Sequence, residues 1–254
     1  MLFFIMTILC IVLILYMYIE ANRNRVNSAH AVINSLPDAF HGFQLFFISD
    51  VHRRVIHDSI IEKASTANIV IIGGDLAEKG VPIERVKENL LKLTKIAPVY
   101  FVWGNNDYEL NKKELSAAIN NCGVAIINNS CVTIEQGGKK IDIAGVDDLS
   151  LKKDNLEQAL SDSHSSCKIL ISHNPDIVKK IKGKDGIGLV VSGHTHGGQI
   201  RLGPFGIAKR GGWYTEGTYQ LFISNGYGTR HLPLRLGAES ETNLITLKQA
   251  KSLH

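Results

Sequence analysis

Hydrophobic and polar positions divide the chain into two unlike parts. Residues 2–19 run without a charge, and as a helix rising 1.5 Å per residue they would cover about 27 Å of a roughly 30 Å hydrocarbon core. This predicts a membrane helix over 2–19. From Val26 onward the pattern changes to short apolar runs of strand length, several followed by apolar residues at helical spacing. The runs 43–49, 68–72, 99–103, 168–172 and 187–192 are rich in β-branched and aromatic residues and read as buried strands. Between them, Asp58 is expected to cap a helix through about Ser65. Pro82 opens one to about Ile96, with Val86, Leu90, Leu93 and Ile96 on its inner face. Asn111 and Glu114 cap one that stops near Gly123, residues 155–160 form another, and Asn174-Pro175 begins a last. Segments 132–135 and 139–144, joined across Gln136-Gly137-Gly138, predict a hairpin and so an antiparallel portion of sheet.

A cleaved signal peptide would share the uncharged run, but no basic segment precedes it and Glu20-Ala21-Asn22 is a poor cleavage site. Arg23 and Arg25 follow it, so the positive-inside bias places the rest of the chain in the cytoplasm, behind a single pass through the cell membrane. Residues 20–25 form a short linker that extends at most about 20 Å. The domain must therefore sit on the membrane. No repeat or low-complexity stretch interrupts the chain beyond the linker, and 26–248 is read as one α/β domain.

Composition narrows the classes. With 254 residues, 44% hydrophobic and 20% charged, the chain is neither disordered nor fibrous. Its four cysteines fall at irregular spacings without a CxxC, which suggests neither a zinc ribbon nor a disulfide framework. A formal charge of +4 without a long basic stripe interleaved with aromatics gives no reason to expect nucleic-acid binding. The short lysine clusters are solvated faces that also suit anionic lipid headgroups. Oligomeric state is not legible.

The chemistry lies where the strand runs stop. They end in Asp50/His52, Asp75, Asn105, His173 and His194/His196. Taken singly, each has an ordinary reading: an Asp capping a turn, a Gly-Asn turn, a structural histidine, a polar turn with two exposed histidines. Asp147-Asp148 is read as turn chemistry alone. In Asp50-Val51-His52 and His194-Thr195-His196, side chains two apart on an extended segment point the same way. Ligands of open α/β sheets bind outside the carboxyl ends of strands, so the five ends would converge. Seven oxygen and nitrogen donors are too many for one ion. A two-metal site is the economical reading, with one carboxylate between ions roughly 3.5–4 Å apart. Mixed imidazole, carboxylate and amide ligands suit Mn, Fe or Zn better than Mg or Ca.

The order DxH, GD, GNN, an isolated His and GHxH resembles the calcineurin-like metallophosphoesterases over about residues 26–247. GHTHGGQ, Ser224-Asn225-Gly226 and Leu232-Pro233-Leu234-Arg235 resemble the membrane-associated bacterial branch of that family. The resemblance implies a sandwich of two mixed β-sheets flanked by helices. It also implies that Asp50, His52 and His196 hold one divalent transition-metal ion, that Asn105, His173 and His194 hold the other, and that Asp75 bridges them. The sequence departs from the family's commonest pattern at Asn106, where a histidine usually stabilises the phosphoryl group or protonates the leaving oxygen. An amide cannot act as a general acid, which narrows the chemistry to leaving groups that depart as stable anions. Asn106 is then a neutral hydrogen-bond donor in a hydrolase that cleaves phosphodiester or pyrophosphate bonds by in-line attack. The membrane helix and short linker favour a lipid-linked substrate, such as a UDP-diacylglucosamine-like or polyprenyl compound. Two alternatives stand beside it: a membrane-anchored metal-binding scaffold with little turnover, and a phosphodiesterase acting on soluble nucleotides or cell-wall phosphodiesters.

Overall fold

Strands whose two faces are both covered need apolar residues at every position, and such strands build the centre of the computed structural model, which describes residues 1–250. One sheet contains β1 (Val26–Ile33), β2 (Gln44–Ile48), β3 (Ile69–Ile72), β4 (Val99–Phe101), β5 (Ala125–Ile126) and the last strand, β12 (Thr242–Gln249), in the order β1-β12-β2-β3-β4-β5. The other contains β6 (Ser130–Gln136), β7 (Lys139–Gly145), β8 (Lys168–Ile171), β9 (Ile187–Ser192), β10 (Gly212–Glu216) and β11 (Tyr219–Ile223), in the order β10-β11-β9-β8-β7-β6. Both are mixed. β12 pairs antiparallel with β2, while β2, β3, β4 and β5 run parallel. β6 pairs antiparallel with β7, and β7, β8 and β9 run parallel.

Alternation along β2 shows how the layers stack. Leu45 and Phe47 enter the core between the sheets, with Ile71, Ile143, Ile169 and Val191. Phe46 and Ile48 face the other way, toward Ile60 of α2 (Asp58–Lys63), Leu90 of α3 (Ile83–Leu93) and Leu115 of α4 (Lys112–Asn121). On the outer face of the second sheet, Leu170 and Val190 pack with Leu156 and Ala159 of α5 (Leu156–Ser161). The result is the two-sheet sandwich flanked by helices.

Several elements differ from expectation. Asp58 does not cap α2. His57 does, its Nδ1 accepting from Ser59 N–H at 3.2 Å, while Asp58 enters the first turn and meets Lys92 Nζ at 3.1 Å. The segment opened by Asn174-Pro175 is a short 3-10 helix, Pro175–Lys180. The strands β10, β11 and β12 were not expected, and β12 intervenes between β1 and β2.

The N-terminal helix α1 (Leu2–Ala21) is long and apolar enough to cross a membrane, and only Met17, Glu20 and Ala21 on it are buried. Its last turn is bonded to the sandwich. Arg25 pairs with Glu20, the Arg235 N–H donates to Met17 O at 3.0 Å, and Arg54 donates to the carbonyls of Ala21, Asn22 and Arg23 at 3.0–3.3 Å.

Candidate metal centre

The expected ligands come from both sheets rather than from one. Asp50 and His52 follow β2, Asp75 follows β3 and Asn105 follows β4; His173 follows β8, and His194 and His196 follow β9. The carboxyl ends of the two sheets meet along one edge of the sandwich, and the side chains converge there. His52 Nε2 lies 3.1 Å from His196 Nε2, and His173 Nε2 lies 3.1 Å from His194 Nδ1. Asp75 Oδ2 stands between these pairs, 3.9 Å from His52 Nε2 and 3.3 Å from His173 Nε2. Asp50 Oδ1 is 3.3 Å from His196 Nε2.

The backbone reaches this arrangement by an unexpected route. Neither DxH nor HxH is extended: Asp50, His52, Asp75, His194 and His196 all have positive φ, from 48° to 69°, and make up five of the nine non-glycine residues with positive φ among those described. Left-handed geometry costs such residues roughly 1–2 kcal/mol each. Its concentration at one spot is the pattern of strain held at functional sites. Pointing by pleat alternation is therefore the wrong account. Each ligand is turned individually, so that neighbours in HxH go to different pairs, His194 to His173 and His196 to His52. Gly74, φ 86°, is required by close approach as well as by conformation, since a Cβ there would lie 2.7 Å from His173 Nδ1.

Among the described residues, two triads have ligand atoms all within 4.8 Å of one another: Asp50/His52/His196 and Asp50/Asp75/His173. The shared residue is Asp50, although Asp75 Oδ2 is the oxygen that lies between the two histidine pairs. Asn105 Oδ1 is buried without a hydrogen-bond partner, which is what an amide oxygen reserved for a cation leaves behind. Donor type, clustering and this orphaned oxygen together fit divalent transition-metal ions.

Without metal, the carboxylates and imidazoles balance one another. Burial disfavours the His173 imidazolium, but the charge and hydrogen bond of Asp75 lift its pKa to about 10. Burial pushes His196 down to about 3. Burial works against the charge on Asp75 too, yet His173, His52 and the Asn106 N–H hold it below the usual carboxylate range.

Asn106 is only 3% exposed. Its Nδ2 donates to Asp75 Oδ2 at 2.6 Å, a partner that sequence reasoning did not supply. Four further residues had no part in the site assigned to them from the sequence. Glu78 Oε2 lies 3.1 Å from His52 Nδ1 and also pairs with Arg53; it stands where a carboxylate can orient the ring of a candidate ligand, and His52 and Arg53 pull its pKa to about 2. Asp107 accepts from the N–H groups of Asp75, Gly104 and Ala77 at 2.8–3.1 Å, tying the loops after β3 and β4 together. Asp148, expected only to shape a turn, is buried beyond β7, with Oδ1 accepting from Leu151 N–H and Oδ2 unpartnered. Arg235 is fully buried and donates to the carbonyls of Asn225, Gly226 and Gly228 at 2.6–3.0 Å. That segment closes over β2, where Tyr227 and Gly228 N–H donate to Ser49 O and Asp50 O. Gly226, φ 78°, admits no Cβ, which would sit 2.7 Å from that of Asp50.

A cavity of about 270 Å³ opens beside Asn106, walled by Arg53, Lys79, Arg230 and His231 together with the carboxylates Glu78 and Glu109. A second, of about 470 Å³, reaches the end of α1 and shares Arg53 and His231 with the first.

A two-sheet sandwich carrying clustered histidines, carboxylates and an amide at its joint strand ends defines the class of metal-dependent hydrolases that cleave phosphoesters. The chain belongs to the calcineurin-like phosphoesterases, whose family model matches residues 43–198, and that family is binuclear and metal-dependent. It is 46% identical to "Uncharacterized protein YpbG" of Bacillus subtilis (strain 168) over 80% of each chain. It is 30% identical to "Uncharacterized metallophosphoesterase YkuE" of the same organism, over 86% of this chain and 84% of that one. A "Transmembrane protein with metallophosphoesterase domain" of Danio rerio is 27% identical over 91% of this chain, which spans 59% of its length. Among solved structures, the NAD nucleotidase NadN of Haemophilus influenzae shares the fold, with a TM-score of 0.53 at 14% identity over 73% of this chain and 45% of that one.

Proposed function

We propose that this protein is a membrane-held hydrolase of phosphodiester or pyrophosphate bonds that works through a binuclear centre on a lipid-linked substrate. The observation that carries the reading is the placement of two histidine pairs on either side of Asp75 Oδ2. In this reading residues 26–248 are the metallophosphoesterase domain, 2–19 cross the cell membrane once, and 20–25 link the two. Arg23 and Arg25 beyond the helix put the domain on the cytoplasmic side.

Asp50, His52 and His196 would hold one ion, Asn105, His173 and His194 the other, and Asp75 both. Bound there, divalent Mn, Fe or Zn supplies Lewis-acid polarisation of the phosphoryl oxygens and acidifies water at neutral pH. The chain's own residues do the rest. Glu78, 3.1 Å from His52 Nδ1, would keep the His52 ring turned so that Nε2 faces His196. Asn106 offers an amide donor beside Asp75 and no proton, which suits leaving groups that depart as anions. In the adjoining cavity Arg53 is paired with Glu78, and Lys79 and Arg230 are the side chains that would compensate the charge of a phosphoester, with Glu109 on the same wall. The second cavity, at the end of α1, supports the lipid-linked assignment, because a headgroup beside that helix adjoins the same wall.

The test uses the full chain in detergent micelles with Mn, Fe or Zn. It should carry about two ions and hydrolyse bis-para-nitrophenyl phosphate faster than para-nitrophenyl phosphate. A clear preference for the monoester, or no hydrolysis with any of the three metals, would sink the proposal.

A further inference from the structure

Beyond α1 the chain carries a second apolar surface that is ordered yet uncovered. Leu202, Phe205 and Ile207 are 72%, 78% and 96% exposed, and single exposed apolar residues would be unremarkable. These three sit on one tip. Leu202 and Phe205 exchange backbone hydrogen bonds at 3.0 and 3.1 Å across Gly203-Pro204. The buried Arg201 guanidinium holds the base of the loop, donating to Gly197 O, Pro204 O and Ala208 O at 2.7–2.8 Å. The loop is thus built to hold apolar side chains outward, and Leu232 is likewise 61% exposed. Gln199 Nε2 donates to Leu232 O at 3.0 Å and so fastens that residue to the same base.

The position of this tip relative to α1 identifies what covers it. Arg235 N–H donates to Met17 O of α1, and the next residue, Leu236, exchanges hydrogen bonds with the base of the loop, Leu236 N–H to Gln199 O at 3.0 Å and Arg201 N–H to Leu236 O at 2.7 Å. Met17 lies about one helical turn inside the end of α1, between Tyr16 and Tyr18, residues that favour the membrane–water boundary. Arg210, three residues past Ile207, and Arg230, whose carbonyl accepts from Gln199 Nε2 at 3.2 Å at the base of the loop, are both exposed and match the headgroup layer. An apolar tip with a basic margin is the pattern of an interfacial membrane contact.

We infer that the 202–207 tip, with Leu232, inserts into the bilayer beside α1 and seats the metal centre, which begins three residues before Gln199 at His196, at headgroup level. The inference rests on the membrane-held reading of α1 and specifies how the domain meets the lipid. Two attachments fix the tilt of the domain, so that the cavity beside Asn106 opens along the membrane surface rather than into the solvent.

The experiment places a Phe205→Trp substitution in the full chain carrying Trp213→Phe, which leaves Trp103, 1% exposed, as the other emitter. The protein is reconstituted in vesicles of phosphatidylethanolamine and phosphatidylglycerol, with or without acyl-brominated lipid. Emission gained from the indole introduced at the tip should be quenched at least about twofold by the brominated lipid and be shielded from acrylamide. Adding Leu202→Glu and Ile207→Glu should abolish the lipid quenching while hydrolysis of bis-para-nitrophenyl phosphate stays within about twofold. Acrylamide quenching without lipid quenching would place the tip in water, and shielding from both would place it against protein; either overturns the inference. Resistance of the chain to alkaline carbonate extraction reports α1 separately, and the fluorescence needs no turnover, so failure of the proposed activity leaves this test intact.

Discussion

Asn106 Nδ2 donates to Asp75 Oδ2 at 2.6 Å, while the Asn106 backbone N–H donates to Asp75 Oδ1 at 2.8 Å. One residue therefore engages both oxygens of the carboxylate that separates the two histidine pairs. The amide at the position of the family's usual histidine is thus bound to Asp75, and replacing it tests both that bond and the role proposed for it toward the substrate.

Asn106→His is expected to raise kcat/KM at least about tenfold on an ester with an alkoxide-like leaving group, recovering part of the roughly 10²–10⁴ that a general acid contributes. On a pyrophosphate the gain should be small, because that leaving group already departs as an anion. Both rates are measured at matched metal loading, since the bond to Asp75 changes with the substitution. Equal gains on the two substrates would refute the assigned role.

Asp75→Asn removes the negative charge that both His52 and His173 face. Metal content should fall below two ions per chain and turnover of every substrate should drop beyond the roughly 100-fold typical of a lost outer partner. A variant that keeps two ions and its activity would dismiss the binuclear assignment.

Much of this site was legible because strand and ligand signals coincide. The runs before Asp50, Asp75, Asn105, His173 and His194 are apolar on both faces, and each stops at a donor. Glu78 was not legible, since its bond to His52 joins residues from different loops and neither neighbour announces it. Arg235 was visible in a motif, but its role was hidden for another reason: its partners are backbone carbonyls, which leave no trace in side-chain sequence. β10 and β11 escaped because Thr215 and Gln220 interrupt their apolar pattern, and β12 because its neighbours β1 and β2 lie about 200 residues upstream. The turning of His194 and His196 to separate pairs depends on positive φ, which spacing alone does not disclose.

Glu78→Gln keeps the shape of the side chain but weakens its hold on His52 Nδ1. Loss of such a partner typically costs roughly 10–100-fold in metal affinity or activity. Titration of the metal-stripped chain with Mn should show one site weakened by about that factor, with the other unchanged. Two sites of unaltered affinity would remove Glu78 from the centre.

Metal removal should expose the raised pKa of His173. In the metal-free fold its value stands at about 10 against an ordinary 6.5. Stability from this proton is thus fully present below about pH 6.5 and lost as pH rises through about 10. A metal ion must displace the proton, so Mn binding at pH 7 should release it. Calorimetry in two buffers of different ionisation enthalpy measures the release; identical heats after dilution correction would contradict it. Chelation should lower Tm, by mass action.

Arg54 joins the loop that carries Asp50 and His52 to the end of α1, and its loss should loosen that joint. Two residues beyond His52, its guanidinium lies 3.7 Å from the centre of the Tyr227 ring. Nη1 donates to Ser240 Oγ at 2.8 Å, and Nη2 donates to Asn22 O and to Asn24 Oδ1 at 3.0 and 2.8 Å. Truncation would leave these acceptors without their shared donor, a change of about 2–3 kcal/mol. At roughly 2–4 °C per kcal/mol for a domain of this size, Arg54→Ala should lower Tm by about 4–12 °C. Lysine keeps the charge but lacks the planar fork that reaches several acceptors at once, so Arg54→Lys should recover less than half of the loss. Because two of these acceptors, Asn22 O and Asn24 Oδ1, lie just beyond α1, limited proteolysis of residues 22–24 should quicken in both variants. Melting within about 1 °C of the parent together with unchanged cleavage would show that α1 is held by its other contacts, those of Glu20 with Arg25 and of Met17 with Arg235, and that Arg54 contributes nothing to the joint.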